Sequence, residues 1–125
     1  MLAQNARVTT AEHYRAAVRR GARFVAPLSV TYVRRVEGAP ARFGFIVSKQ
    51  VGVAVVRNRV RRRLKAACFS LLPSVDSGVD VVIRALPSAA SASFAEMSTE
   101  VSASLRKAGV LESVAPELSK AAVRS

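Results

Sequence analysis

Apolar residues along the chain recur first at helical spacing, then in alternation, then at helical spacing again, and these changes of period divide it into elements. Thr9 followed by Glu12 has the form of a capping box, and residues 10–20 then read as a short helix halted by Gly21. Tyr14 and Val18 share one face of it, with Arg15 and Arg19 beside that stripe. Residues 28–36 alternate as a strand does, Val30, Tyr32 and Arg34 against Thr31, Val33 and Arg35. Gly38 and Pro40 supply a turn within Glu37–Ala41, and residues 42–48 alternate again, Phe43, Phe45 and Val47 against Gly44, Ile46 and Ser48. Two strands joined so closely predict an antiparallel hairpin.

From Ala54 to Leu72 the period returns to nearly four. Val56, Val60, Leu64, Ala67 or Cys68, and Leu71 trace an apolar stripe that Pro73 ends. Residues 79–84, Val-Asp-Val-Val-Ile-Arg, read as a strand largely buried in a sheet. Pro87 to Ser93 is a connection, after which Ser93 and Glu96 form a second capping box and Phe94, Met97, Val101 and Leu105 mark the packed face of a helix stopped near Gly109. A further short strand stays open between Gly21 and Leu28. The order helix, strand, strand, helix, strand, helix predicts an α+β fold, a two-layer α/β sandwich. Without a repeat or an internal linker, residues 1–115 read as a single domain and residues 116–125 as a flexible C-terminal tail.

Charge changes the picture. The 125 residues carry 20 Lys plus Arg against 8 Asp plus Glu, a formal net charge of +12, on a chain half of whose residues are apolar and which therefore folds rather than staying disordered. Sixteen of the basic residues are Arg, the side chain whose planar fork grips phosphate. Residues 1–65 hold fifteen basic and two acidic side chains, residues 66–125 five and six, so the binding surface belongs to the first half. A single cysteine, Cys68, excludes an intrachain disulfide and a cysteine-rich zinc cluster, and no uncharged 18-residue run occurs, which fits a cytoplasmic protein.

The densest local signal is Arg57-Asn58-Arg59-Val60-Arg61-Arg62-Arg63-Leu64-Lys65, in which burial of Val60 and Leu64 drives several cations outward together. A solvated charged face is the plainer reading and a polyanion partner the sharper one. Asn58 either caps the helix or contacts a base or phosphate directly. In Ser48-Lys49-Gln50-Val51-Gly52, Gly52 supplies a positive φ or a close backbone approach, and Ser48 and Lys49 are placed to meet phosphates; the spacing is not that of a nucleotide loop. Tyr14, Val18, Val30 and Tyr32 form either core or an apolar groove in which unstacked bases lie while cations such as Arg15 hold the backbone. His13 and Cys68 have no companions that make a metal site or a nucleophile, Glu12, Glu96, Glu100 and Glu112 are accounted for by caps and solvated faces, and Asp76 and Asp80 flank a turn.

The run Arg42–Lys65, and within it Ser-Lys-x-Val-Gly-x-Ala-Val-x-Arg-Asn-Arg, resembles the bacterial ribonuclease P protein component, with the likeness extending over roughly residues 7–110. The resemblance implies a ribosomal-protein-like sandwich with a left-handed βαβ crossover through the basic helix. It implies an accessory protein subunit, itself without catalytic residues, that joins one catalytic RNA to make the holoenzyme removing the 5′ leader of precursor transfer RNA, with magnesium held mainly by the RNA. Arg57, Asn58, Arg59, Arg61 and Arg62 match the family's basic element, Lys49 and Lys65 further positive positions, and Tyr14, Val18, Val30 and Tyr32 its leader groove. Val18 stands where the family usually has Phe, and Gln50 and Val53 stand at positions that are often basic. A ribosomal or other structured-RNA-binding protein that assists no cleavage is the main alternative, and an independently catalytic nuclease a remote one.

Overall fold

The computed structural model describes residues 6–111. Its elements are α1 (Ala11–Arg20), β1 (Ala22–Val25), β2 (Ser29–Arg35), β3 (Arg42–Ile46), α2 (Ala54–Leu71), β4 (Val79–Ala85) and α3 (Phe94–Lys107), with 3-10 segments at Leu72–Ser74 and Pro87–Ser91. The strand left open between Gly21 and Leu28 is β1. The expected boundary at residue 115 and the tail 116–125 lie outside the described residues.

The expected hairpin does not form. The sheet order is β1-β2-β4-β3, with β2 antiparallel to both β1 and β4 and β3 parallel to β4 in the register Arg42↔Asp80 to Ile46↔Arg84. Every residue from Val79 to Ile83 is fully buried, so β4 presents apolar side chains to both faces and takes the interior of the sheet, inserting itself between the two strands the turn at 36–41 connects. β3, only partly buried at Arg42, Phe45 and Ile46, takes the edge, and α2 carries the chain from it across to β4.

Alternation then builds two cores. Val33, Phe43, Val79, Val81 and Ile83 pack with Val60, Leu64 and Cys68 of α2 and with Met97, Val101 and Leu105 of α3. On the other face Val30, Tyr32 and Val82 close against Val8 and Ala17 beneath α1. The two-layer expectation describes the larger core, and α1 adds a partial third layer because the second face of β2 and β4 is apolar as well.

Caps and ion pairs fix the details. Thr10, one residue later than expected, caps α1 by accepting from the His13 N–H at 3.2 Å. The Ser93–Glu96 box stands as read, with reciprocal bonds of 3.0 and 2.8 Å. Two acidic residues have other roles than those expected. Asp80 is fully buried and accepts two bonds from the Arg42 guanidinium, at 2.7 and 2.9 Å, which clamps β3 to β4. Glu100, rather than facing solvent, accepts from the Leu28 N–H at 3.0 Å and the Ser29 hydroxyl at 2.6 Å, fastening α3 to the start of β2.

Candidate nucleic-acid interface

The basic helix is launched by a tight turn in which the Val51 N–H donates to Ser48 O and the Gly52 N–H to Lys49 O, leaving Ser48 and Lys49 exposed. Gly52 has φ +156°, and a Cβ there would meet Val56 at 2.9 Å, so both expectations for this glycine hold. Val53 is the N-cap and offers no side-chain bond. The capping alternative for Asn58 therefore fails: it sits in the second turn, exposed, accepting from Arg61 Nη1 at 3.3 Å.

With 3.6 residues per turn, burial of Val60, Leu64, Ala67 and Cys68 sorts the remaining positions into three lines. Arg57, Arg61 and Lys65 follow one another at successive turns along the flank toward β3. Asn58 and Arg62 lie on the exposed crest. Arg59 and Arg63 run along the opposite flank, where they donate to the carbonyls of Ala90 and Ala92 at 3.1 and 2.6 Å. Arg57 Nε donates to Gly52 O at 3.1 Å. Carbonyl acceptors hold these guanidinium groups in place without cancelling their charge. The ion pairs of the described residues, Arg35–Asp76 and Arg42–Asp80, involve no residue of α2. Six cations within three helical turns thus keep their full field.

A cleft of about 280 Å³ opens along the outer edge of β3. Tyr14 and the segment Arg7–Thr9 form one wall, Arg61 and Lys65 the other, with Phe43 and Phe45 between them. Tyr14 is seated by β3 itself. Its ring fills the space above Gly44, where a Cβ would come within 2.7 Å of ring carbons, and its hydroxyl accepts from the Phe45 N–H at 3.1 Å. Ahead of α1, the Val8 N–H donates to Phe43 O at 2.8 Å, laying that segment parallel to the same strand edge.

Of the residues expected on the leader side, only Tyr14 lines this cleft. Val30 and Tyr32, 2% and 6% exposed, are core beneath α1, because the helix lies directly over them. Val18 is 38% exposed and belongs neither to that cluster nor to the cleft. Arg15 opens onto a different cleft, with Arg19, Arg20 and Arg34. Arg7 precedes any periodic pattern and Thr9 reads from the sequence only as a cap, so neither was expected at the cleft; Phe43, 1% exposed, is core beneath it, whereas Phe45 on the edge strand is only partly buried.

Burial pushes the Cys68 thiol well above its ordinary pKa, which removes the thiolate a nucleophile requires. Among the described residues no three of His, Cys, Asp and Glu converge in a way that could hold a metal ion, and no described helix is long and apolar enough to cross a membrane.

A family model described as Ribonuclease P matches residues 2–109. The Ribonuclease P protein component of Clavibacter michiganensis subsp. michiganensis is 52% identical over 88 residues, covering 70% of this chain and 78% of its own length. That of Kocuria rhizophila is 43% identical over 100 residues, covering 80% and 88%. Among solved structures, the RNase P protein of Staphylococcus aureus has a TM-score of 0.78 at 19% identity, covering 86% of this chain and 98% of its own. That of Thermotoga maritima scores 0.73 at 16% identity over 81% and 96%. At such identities the structural likeness establishes the shared mixed α/β fold.

Proposed function

This chain belongs to the bacterial ribonuclease P protein family, and from that premise we propose that it is the cytoplasmic protein subunit, one per catalytic RNA, of the ribonucleoprotein that hydrolyses the 5′ leader from precursor transfer RNA. The left-handed sense of the β3–α2–β4 crossover, the ribosomal-protein-like character of the fold and a single RNA-binding domain over residues 1–115 belong to the same reading.

The observation that carries it is the cleft at the edge of β3, where the Tyr14 ring stands opposite Arg61 and Lys65. An aromatic face beside cations suits a single strand, with a base laid on the ring and its phosphates against the charges. Arg7 extends the same wall, and Val30 and Tyr32 support α1 from below as packed floor. The crest and flanks of α2, with Asn58, Arg62, Arg57 and Arg59 and the neighbouring Ser48 and Lys49, face the catalytic RNA. The protein supplies phosphate neutralisation and leader positioning. Asp80 is engaged by Arg42, and Glu100 by the Leu28 N–H and the Ser29 hydroxyl. In this reading magnesium is held mainly by the RNA, where such ions would activate water and stabilise the departing oxygen.

Reconstitution with the matching catalytic RNA at low magnesium tests this reading. The protein stimulates 5′ cleavage, and Tyr14→Ala weakens leader-bearing precursor by about 5- to 150-fold, the equivalent of roughly 1–3 kcal/mol for one lost base stack. Mature transfer RNA is unaffected. Equal weakening of both substrates would remove the leader role, and RNA binding with no stimulation would favour a general structured-RNA-binding protein.

A further inference from the structure

Resting on that reading, we propose that the outer face of α1 is a second phosphate-binding surface, so that one copy of the protein bridges two separate RNA segments. Arg15, Arg19, Arg20 and Arg34 line a cleft of about 460 Å³ in which Glu12 is the sole carboxylate. None of the four is in an ion pair among the described residues. Asp80, the register partner of Arg34 across the sheet, already receives both bonds from Arg42.

The helix dipole accounts for part of this cluster, since Arg19 and Arg20 occupy the last turn of α1, where cations are favourable. It does not account for Arg15, a turn earlier, or for Arg34, which β2 brings from a different element. Arg15 and Arg19 are about 6 Å apart along the helix axis, near the spacing of neighbouring phosphates on one strand. Neither Tyr nor Phe lines the cleft and its one ring is the half-buried His13, so it offers mostly charge. That chemistry fits the backbone of structured RNA rather than splayed bases.

Position supplies the bridging. α1 covers one face of the sheet and α2 the other, so cations on their outer sides point away from each other across the whole thickness of the molecule. A segment of RNA lying on the α2 crest leaves the α1 face free for a second, structured segment of the catalytic RNA.

The test compares the reconstituted holoenzyme of the wild-type protein with those of two variants, Arg15→Gln/Arg19→Gln/Arg20→Gln on α1 and Asn58→Ala/Arg62→Gln on α2. All five substituted residues are exposed, and an unchanged circular dichroism spectrum verifies the fold. Hydroxyl-radical footprints on both RNAs give the sites, and titrations at several salt concentrations give the number of phosphates. The α1 variant is expected to flatten the log–log salt dependence by about 2, at roughly 0.7–0.9 for each phosphate released. It loses a set of protections separate from the set lost by the α2 variant. An unchanged slope, which an acidic protein partner at this face would also produce, overturns the inference, as does loss of the same protections by both variants. A wild-type protein that fails to stimulate cleavage refutes the functional reading instead, whereas wild-type stimulation with an indistinguishable α1 variant refutes only the bridge.

Discussion

Replacing Gly44 by alanine inserts one methyl group at the point where Tyr14 rests on β3. The new Cβ would lie 2.7 Å from two ring carbons and 2.8 Å from the hydroxyl oxygen, well inside van der Waals contact. The ring must lift, and the bond from the Phe45 N–H to the Tyr14 hydroxyl, 3.1 Å in the native protein, is lost with it. Overpacking costs about 1–3 kcal/mol and the bond about 0.5–1.5 kcal/mol, so Gly44→Ala destabilises the protein by roughly 2–4 kcal/mol. Urea unfolding reads this as a fall in midpoint of about 1–2 M, for a slope near 2 kcal/mol per molar. The mechanism is specific, because the methyl group has nothing to strike once the ring is gone. In a Tyr14→Ala background Gly44→Ala therefore costs little, and a double-mutant cycle shows a coupling of about 2–4 kcal/mol, nearly the whole effect. Additive effects would refute the account, since the glycine would then be required for some reason other than the tyrosine. In the same series, Gly44→Ala alone weakens leader-bearing precursor relative to mature transfer RNA, because the stacking face has moved.

Arg42→Ala leaves Asp80 buried without its partner and is expected to destabilise the fold by about 3–5 kcal/mol in thermal or urea unfolding; a change below 1 kcal/mol would show that the pair is dispensable. Asn58→Ala, at an exposed position that caps nothing, leaves the unfolding midpoint within about 0.5 kcal/mol of wild type while lowering affinity for the catalytic RNA, and a large loss of stability would return it to a structural role.

Local patterns in the sequence were sufficient for nearly every element, because helical and alternating periods are written in neighbouring residues. Pairing was not local. The hairpin expectation rested on a short turn between two alternating segments, and it gave way to β4, a strand that begins 33 positions beyond the end of β3 and whose burial on both faces claims the place beside β2. Asp80 sat in plain view within an apolar strand, yet nothing near it in the chain announces Arg42, 38 residues away, and the same separation hides the link from Glu100 to Ser29, 71 residues distant. The basic helix was legible because its stripe and its cations occupy one segment. The cleft was only half legible: Tyr14 follows from the helix face, whereas the companionship of Arg7, Arg61 and Lys65 is a product of β3 lying at the edge. Arg15 shows the opposite limit, since residues adjacent in sequence on a helix point to different sides, and Tyr14 and Arg15 serve different clefts.

The outermost strand of a sheet ordinarily offers its unused amides and carbonyls to any passing strand, including one from an identical molecule. Here the Val8 amide occupies the Phe43 carbonyl and the Tyr14 phenol occupies the Phe45 amide, so the margin of β3 is sealed from within the chain. The side chain proposed to stack on RNA is thus also a guard against self-association, and a protein stripped of that phenol loses a barrier to stacking edge to edge with its own kind.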